Sequence, residues 1–326
     1  MTQKVSLIVT VLNEEDTVDQ LLDAIVNQTQ TPNELIIVDG DSSDNTVKVI
    51  ERFIEDQQKN SALFSKHFTL KILPNSNRAQ ARNWAIAHAK HSLIAITDAG
   101  CVPQPGWLKN LFQTYQEKKT PIVGGFFYGL PETSFEQAVV AYTLEMPHRV
   151  NPSSFIPTTR SVLITKKIWQ KLGKFDEKLT TNEDFPFFFF AQQKGIQISF
   201  AKEALVGWMP RKNLKEFVQM IFGFAKGDIE AGIIRTRVQL LFGRYLLVPI
   251  TLLILVFAVK VSFAQLLPTV FFWLLIYLLW SIWKNLKYVP EGWFWLPLLQ
   301  LVADVTVMAG SITGLVKRYR YQPQIE

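Results

Sequence analysis

Apolar positions set two alternating rhythms along the first part of the chain. Residues 5–12 form a continuous apolar and β-branched run, which predicts a strand covered on both faces. Val18, Leu21, Leu22, Ile25 and Val26 then recur at helical spacing, with Asp16 or Thr17 placed to cap the helix. Thr31-Pro32-Asn33 ends it, and residues 34–38 supply a second strand. Val47, Ile50 and Ile54 mark a second helix, for which Ser43 and Asp44 are capping candidates. Residues 57–68 are polar and predict a loop; residues 69–73 read as a third strand. Pro74-Asn75-Ser76-Asn77 is a turn cluster, residues 78–90 a helix and residues 93–97 a fourth strand. Strands alternating with helices predict an α/β fold with a parallel, doubly wound sheet.

Past Pro105-Gly106-Trp107 the rhythm changes. Residues 121–128 and 162–165 are strand-like, residues 135–144 and 166–172 helical, and the Pro- and Ser-rich stretch 147–159 predicts a loop over the site. Residues 185–190, five aromatics around Pro186, read as a core helix, and residues 196–200 and 205–208 as two short strands. Asn213, with Glu216 three positions on, caps an amphipathic helix whose apolar face is Leu214, Phe217, Val218, Ile221, Phe222 and Ala225. Such a face packs on a core or lies in a membrane interface, and its neighbourhood favours the interface.

That neighbourhood is the last third of the chain. Segments 245–261, 266–283 and 293–316 each approach the ~20 apolar residues that cross a bilayer. Between Tyr245 and Val316 the only charged residues are Lys260, Lys284, Lys287, Glu291 and Asp304. Trp273, Trp280, Trp283, Trp293 and Trp295 suit interfacial belts. Asp304, inside the third segment, must face protein or water, or mark that helix as partly interfacial. The organisation expected is a catalytic domain over 1–210, a juxtamembrane helical segment over 211–244 and a membrane region with a short basic tail over 245–326.

Charge refines this picture. The net charge is +6, and its basic residues crowd before the apolar region at Arg211, Lys212, Lys215, Lys226, Arg235, Arg237 and Arg244. Juxtamembrane cations favour anionic headgroups and a cytoplasmic side, so the partner indicated is a membrane and not nucleic acid. The basic tail Lys317-Arg318-Tyr319-Arg320 asks for the same side, which three full crossings cannot provide. One segment fails to span, or the tail breaks the charge rule. A single cysteine, Cys101, forms no internal disulfide and fits a reducing compartment. No signal peptide is expected, because the first apolar run is short and leads into Asn13-Glu14-Glu15-Asp16.

The candidate chemistry lies at strand ends, where open α/β sheets bind ligands. Asp98 ends the fourth strand, followed by Gly100, which permits a tight turn or a close approach to a ligand. Asp39 and Asp41 open the acidic loop 39–46, where a ribose hydroxyl or a base edge could be met. Arg78 and Arg82 share one face near a helix start, an arrangement that opposes the helix dipole and to which a bound diphosphate would give a purpose. Glu183 and Asp184 precede the aromatic helix; a helix-start signal accounts for one of them. Each has a plain alternative as a turn cap or a solvated charge.

Together these stretches resemble family-2 glycosyltransferases with a GT-A fold, over about two-thirds of the chain from Val5 to Asp228. Residues 5–14 look like that family's first strand and nucleotide loop, Asp39-Gly40-Asp41-Ser42-Ser43-Asp44-Asn45-Thr46 like its acidic loop, and Ala81-Arg82-Asn83 like its Ala-Arg-Asn helix. Thr97-Asp98-Ala99-Gly100-Cys101 sits where the family has Asp-x-Asp, and Glu183-Asp184 where it has the pair holding the catalytic base. Trp208-Met209-Pro210-Arg211 and Gly227-Asp228 resemble the lead-in to the helices of membrane-bound members. The resemblance implies a mixed, mainly parallel Rossmann-like sheet with helices on both faces, then an interfacial helix and transmembrane helices. It implies a nucleoside-diphosphate sugar donor, with Thr10, Glu14, Asp39 and Asp41 at the nucleoside and Asp98 at the ribose or metal. Arg78 and Arg82 would reach the phosphates, and Asp184 would be the base for inverting transfer with Glu183 its neighbour or an acceptor contact. Gly100 replaces the usual second metal-binding Asp, which leaves dependence on a divalent cation (Mg or Mn) open. The absence of a Gln-x-x-Arg-Trp stretch argues for one sugar per transfer.

The reading expected is therefore a multi-pass glycosyltransferase of the plasma (inner) membrane, its catalytic domain cytoplasmic and its acceptor lipid-linked or membrane-proximal. Gly100 keeps a non-catalytic nucleotide-sugar scaffold in view. Asp304 keeps a small transporter in view, although that reading leaves the acidic loops unexplained.

Overall fold

A computed structural model describes residues 3–60 and 67–321. The chain divides into two compact units, one built from residues up to Leu130 with Met146–Met209, the other from Pro131–Glu145 and the chain from Pro210 onward. The helix at 135–144, inside the span expected to be catalytic, thus belongs to the second unit.

The first unit follows the alternation in the sequence: β1 (Val5–Val11), α1 (Val18–Val26), β2 (Glu34–Asp39), α2 (Thr46–Asn60), β3 (Phe68–Ile72), α3 (Arg78–His88) and β4 (Leu93–Asp98). β5 (Cys101–Pro103), α4 (Trp107–Lys118) and β6 (Ile122–Gly129) follow, and α5 (Ser134–Thr143) leads into the second unit. The chain returns with β7 (Val162–Thr165), α6 (Lys166–Lys171), α7 (Asp184–Gln193) and β8 (Ile198–Trp208). The stretch expected to be a loop at 57–68 is helix to Asn60 and strand from Phe68, and its centre lies outside the described residues.

The eight strands form one sheet in the order β3-β2-β1-β4-β7-β6-β8-β5. β3, β2, β1 and β4 are parallel; β7 runs antiparallel to β4 and to β6, β8 runs parallel to β6, and β5 antiparallel to β8. The sheet is mixed and not wholly parallel. Every residue of β1 is buried, as a strand covered on both faces requires. The two strands expected at 196–200 and 205–208 are one, β8, carried through a register shift opposite Gly125 and Phe126.

Register brings the chemistry to one edge. β1 lies between β2 and β4, with Val11 opposite Asp39 and Thr10 opposite Asp98. β7 is antiparallel to β4, so the chain that enters it, Thr159-Arg160-Ser161, arrives at that same edge.

The second unit adds α8 (Leu214–Glu230), α9 (Thr236–Phe257), α10 (Phe263–Trp283) and α11 (Leu296–Tyr321) to α5. Three of its helices are long and apolar enough to cross a membrane. The Asn213 side chain caps α8 by accepting from the Glu216 amide at 3.0 Å. Phe217 and Ala225, expected on a lipid-facing surface, are buried in protein instead. α9 starts nine residues before the apolar segment at 245 and contains Pro249. Asp304 faces protein: its carboxylate accepts from Arg244 at 2.9 Å, Tyr245 at 3.1 Å, Gln300 at 2.9 Å and, by a short bond, Tyr277.

Candidate active site

Two loops at the ends of β1 and β2 are laced together. The Asn13 backbone is left-handed (φ 54°), and its side chain accepts from the Ser43 amide at 2.8 Å. The Glu14 amide donates to Thr46 Oγ1 at 2.7 Å, and Glu15 accepts from the Asn45 amide at 2.9 Å. Asp44 accepts from Thr46 and from the Glu15 amide, and these bonds hold its carboxyl below the usual range against the cost of burial. It thus serves as the α2 start expected of it. Thr17 precedes α1 but makes no capping bond; its hydroxyl donates to Glu14 Oε2 at 2.6 Å.

Asp39 differs from expectation. It is fully buried, and its carboxylate accepts from the Asp41 and Ser42 amides at 2.9 and 2.8 Å and from the Ser42 hydroxyl at 2.5 Å. Its oxygens shape the loop. Asp41, exposed and left-handed at φ 82°, is the carboxylate this turn presents outward. Thr10 is buried beside Asp98 in the sheet.

α3 is fixed at its start by Asn77, which accepts from the Gln80 amide at 2.9 Å while Gln80 reaches back to the Asn77 amide. Arg78 is exposed, whereas Arg82 four residues on is wholly buried. The two therefore do not form the joint phosphate contact their spacing suggested. Arg82 Nη1 donates to Glu183 Oε1 at 2.7 Å and its Nη2 to Asp98 Oδ1 at 3.0 Å. Burial opposes its charge, but Asp98 and Glu183 more than compensate and raise its pKa. Asn83 clamps α6 and the loop between α6 and α7, accepting from Trp169 Nε1 and the Phe175 amide and donating to the Phe175 carbonyl and Glu177.

Glu183 stands at the N-cap position of α7 and Asp184 at its first residue, yet Glu183 makes no capping bond. Both carboxylates turn to tertiary partners, so the helix-start reading does not account for Glu183. Glu183 is 2% exposed, and its second oxygen has no hydrogen-bond partner among the described residues. Asp184 Oδ2 accepts from the Thr159 amide at 3.0 Å. The Thr159 hydroxyl lies 3.0 Å from Asp98 Oδ2 and 3.2 Å from Asp184 Oδ2. One hydroxyl proton serves one carboxylate at a time, so Thr159 is a switchable link between the two. Burial works against the Asp184 charge, but Arg82, the Thr159 bonds and Arg160 outweigh it and hold the carboxyl below the usual carboxylate range.

The loop carrying Thr159 is seated by glycines in β6. A Cβ on Gly125 would overlap Ser161 Oγ and come 2.5 Å from the Ala204 carbonyl; one on Gly124 would lie 2.6 Å from Phe155 and Pro157. Ser161 in turn accepts from Trp107 Nε1 at 2.8 Å and donates to the Ala204 carbonyl. Arg160 lies 5.0 Å from the Phe127 ring centre and 5.1 Å from that of Trp208, with no ion pair to a carboxylate among the described residues. Thr159 ends the Pro- and Ser-rich stretch and Arg160 follows it, and no periodicity in the sequence marks either as a site residue.

No group of three or more metal-ligating side chains occurs among the described residues. Cys101 is buried beside Asp98, and burial chiefly, with Asp98, pushes its thiol up to about 12. It is neither nucleophile nor ready metal ligand.

Residues 6–190 match the family model described as Glycosyl transferase family 2. The chain is 24% identical over 241 residues to glycosyltransferase AglE of Haloferax volcanii, covering 69% of this chain and 73% of that protein. It is 28% identical over 241 residues, 68% of this chain and 73% of the other, to a dolichyl N-acetyl-alpha-D-glucosaminyl phosphate 3-beta-D-2,3-diacetamido-2,3-dideoxy-beta-D-glucuronosyltransferase of Methanococcus voltae. Among solved structures, mannosyltransferase PcManGT from Pyrobaculum calidifontis, in complex with GDP-Man and Mn2+, superposes with a TM-score of 0.64 at 16% identity, over 97% of this chain and 89% of that one. At that identity the likeness speaks for the fold alone.

Proposed function

Because this chain belongs to glycosyl transferase family 2 and is a glycosyltransferase, we propose that it transfers a single sugar, with inversion, from a nucleoside-diphosphate sugar to a lipid-linked or membrane-proximal acceptor. The observation that carries this reading is the linked set Glu183–Arg82–Asp98–Thr159–Asp184 at the sheet edge. Asp184 takes the proton of the acceptor hydroxyl. The acceptor oxygen attacks the anomeric carbon from the face opposite the nucleotide, the bond from that carbon to the diphosphate oxygen breaks, and the nucleoside diphosphate leaves. A carboxylate held ionised by Arg82 and Thr159 is ready for that role at neutral pH.

The nucleoside is met by Thr10, Glu14 and Asp41, on a loop that Asp39 holds in shape. Arg82 orients Asp98 and Glu183 and is not itself a phosphate ligand. Arg160, lying over two aromatic rings and with no carboxylate at ion-pair distance among the described residues, supplies positive charge to the leaving diphosphate, and exposed Arg78 remains a second candidate for that role. Glu183, with one oxygen unpartnered, accepts from a sugar hydroxyl. Where a divalent cation (Mg or Mn) takes part, Asp98 is the carboxylate that fits it: its side chain is 24% exposed, and a Cβ on neighbouring Gly100 would lie 3.9 Å from Glu14 Oε2, a second carboxylate at that edge. Magnesium commonly uses one or two carboxylates with substrate phosphates. Such an ion would neutralise charge on the leaving group.

The relative of Methanococcus voltae is named for a dolichyl-linked sugar phosphate, which supports a lipid-linked acceptor here. The three long apolar helices and the basic residues before them support a multi-pass protein of the plasma (inner) membrane with a cytoplasmic catalytic unit. The test is nucleotide release by the detergent-purified chain with a panel of UDP-, GDP- and dTDP-sugars and a membrane lipid extract. Release that needs one donor and lipid, and that vanishes in Asp184→Asn, supports the reading. Donor binding without release under every condition overturns it in favour of a scaffold.

A further inference from the structure

α8 and α11 lie side by side with their backbones in contact. A Cβ on Gly310 would come within 2.7 Å of the Phe222 carbonyl, and one on Gly314 within 2.6 Å of the Lys226 carbonyl. The contact advances four residues on both helices together, so they run in the same direction, and the pair continues to Lys317, which bonds Glu230 at 3.1 Å. α11 therefore cannot enter a bilayer without α8. α8 carries Lys215, Glu216, Lys226, Asp228 and Glu230, three of them in its last five residues. Lys226 pairs with Glu230 at 3.6 Å and Asp228 with Arg235 at 2.6 Å. Ion pairs of this density belong to water or an interface and not to a hydrocarbon core.

The other two helices differ. Positions 246–250 of α9 and 267–276 of α10 are exposed without a break. More than a full turn of apolar side chain is open on every side, the pattern of a helix surrounded by lipid. On α11 the exposed positions from 305 onward keep to one side, Val305, Ala309, Ile312, Thr313, Leu315, Val316 and Tyr319, while Asp304, Thr306, Gly310, Ser311 and Gly314 are buried on the other. The Asp304 cluster ties the first half of α11 to Arg244 and Tyr245 in the first half of α9 and to Tyr277 near the end of α10. Lys284 just past α10 reaches Gln300 and lies 4.4 Å from the Trp280 ring centre, a cation–aromatic pair of the kind that suits a membrane interface.

We propose that α9 and α10 cross the bilayer as a hairpin, and that α11 lies with α8 along the surface of the leaflet from which α9 enters. The stripe Val305–Tyr319 is seated in the acyl boundary, and Lys317, Arg318, Arg235 and Arg237 face anionic headgroups. The basic stretch before α9 and the basic end of α11 then share one side, which resolves the charge conflict that three crossings create. The proposal rests on the membrane reading above but not on sugar transfer, and its test needs no activity.

Reporter fusions to the full chain read it directly. A fluorescent protein or alkaline phosphatase is placed before Met1, within the α9–α10 connection at Lys260, or after Glu326. The expected pattern puts Met1 and Glu326 on one side and Lys260 on the other. Glu326 opposite to Met1 would mean that α11 crosses, and Lys260 on the Met1 side would mean that the hairpin does not; either overturns the proposal. A fusion that disturbs folding is replaced by Ile312→Cys, labelled with a fluorophore in phosphatidylcholine–phosphatidylglycerol vesicles; buried Cys101 does not compete for label. Quenching several-fold stronger by lipids brominated near the headgroup than by those brominated near the chain end is expected. Stronger quenching from the chain end, or none from either, overturns the surface placement.

Discussion

Arg82 and Glu183, 101 positions apart in the chain, meet at 2.7 Å with side chains 0% and 2% exposed. The pair joins α3 to the start of α7 and, through the second nitrogen of the fork, to the end of β4. Arg82→Ala leaves a buried carboxylate without its counterion, which typically costs about 3–5 kcal/mol. Thermal unfolding should fall by roughly 10 °C for a unit of this size. Arg82→Lys should be intermediate, because one ammonium does not reproduce two directed bonds. An unchanged midpoint in Arg82→Ala would show that the pair holds nothing together.

Asp184→Asn removes the proposed base while keeping shape and size. Transfer should drop by about 10²–10⁴ with donor binding unchanged. Since the Asp184 carboxyl is held below its ordinary 3.8, the base is ionised throughout the neutral range. The acid limb of kcat should then lie below pH 3.8, outside the range where most glycosyl transfer is assayed. Linkage carries the same sign: the contribution of Asp184 to stability is present above the unfolded carboxyl pKa and lost as pH falls through the lowered one. A rate loss centred near pH 6 would point to another group.

Much of this was legible in the sequence, for identifiable reasons. β1, β2 and β4 are continuous apolar runs buried on both faces, and their carboxyl ends mark the site without any tertiary information. Asp98, Glu183 and Asp184 stand out as carboxylates with more charge than capping needs. Pair commitments were not legible. Arg82 and Arg78 look equivalent by spacing, and only burial separates the one spent on carboxylates from the one in solvent. Asp39 reads as a ligand contact until its oxygens are seen to hold the amides of 41 and 42. Charged Lys202 and Glu203 interrupt the apolar pattern of β8 at its irregular register, so the sequence alone reads as two short strands.

Thr159→Val keeps the backbone amide on Asp184 but removes the hydroxyl shared with Asp98. Hydrogen bonds to charged groups contribute roughly 1.5–3 kcal/mol, so kcat should fall by about 10-fold or more. The Asp184 carboxyl loses one of the bonds that depress it, and the acid limb should move upward. Thr159→Ser restores the hydroxyl and should restore both. A valine variant with wild-type rate and pH profile would remove Thr159 from the chemistry.

Gly125→Ala tests whether the seat of that loop is as close as its distances imply. The new methyl would overlap Ser161 Oγ and press on the Ala204 carbonyl, backbone on one side and a bonded hydroxyl on the other. Neither yields cheaply, so a loss of about 1–3 kcal/mol is expected in urea unfolding. Transfer should fall as well, because Ser161 is two residues from Thr159. A neutral result would mean that the loop is free to lift.

Arg160 separates charge at the phosphates from charge elsewhere in the site. Its guanidinium lies over Phe127 and Trp208 at 5.0 and 5.1 Å, contacts that fix its plane without spending its donors on a carboxylate. Arg160→Ala should raise the KM for the nucleotide sugar by about 10-fold or more and weaken nucleoside diphosphate binding in parallel, while binding of the bare nucleoside is unchanged. Arg160→Lys retains the charge but loses the planar stack, and should recover part of the diphosphate affinity. Equal weakening of nucleoside and nucleoside diphosphate would place Arg160 in the architecture of the loop. A change confined to acceptor KM would move it to the other substrate.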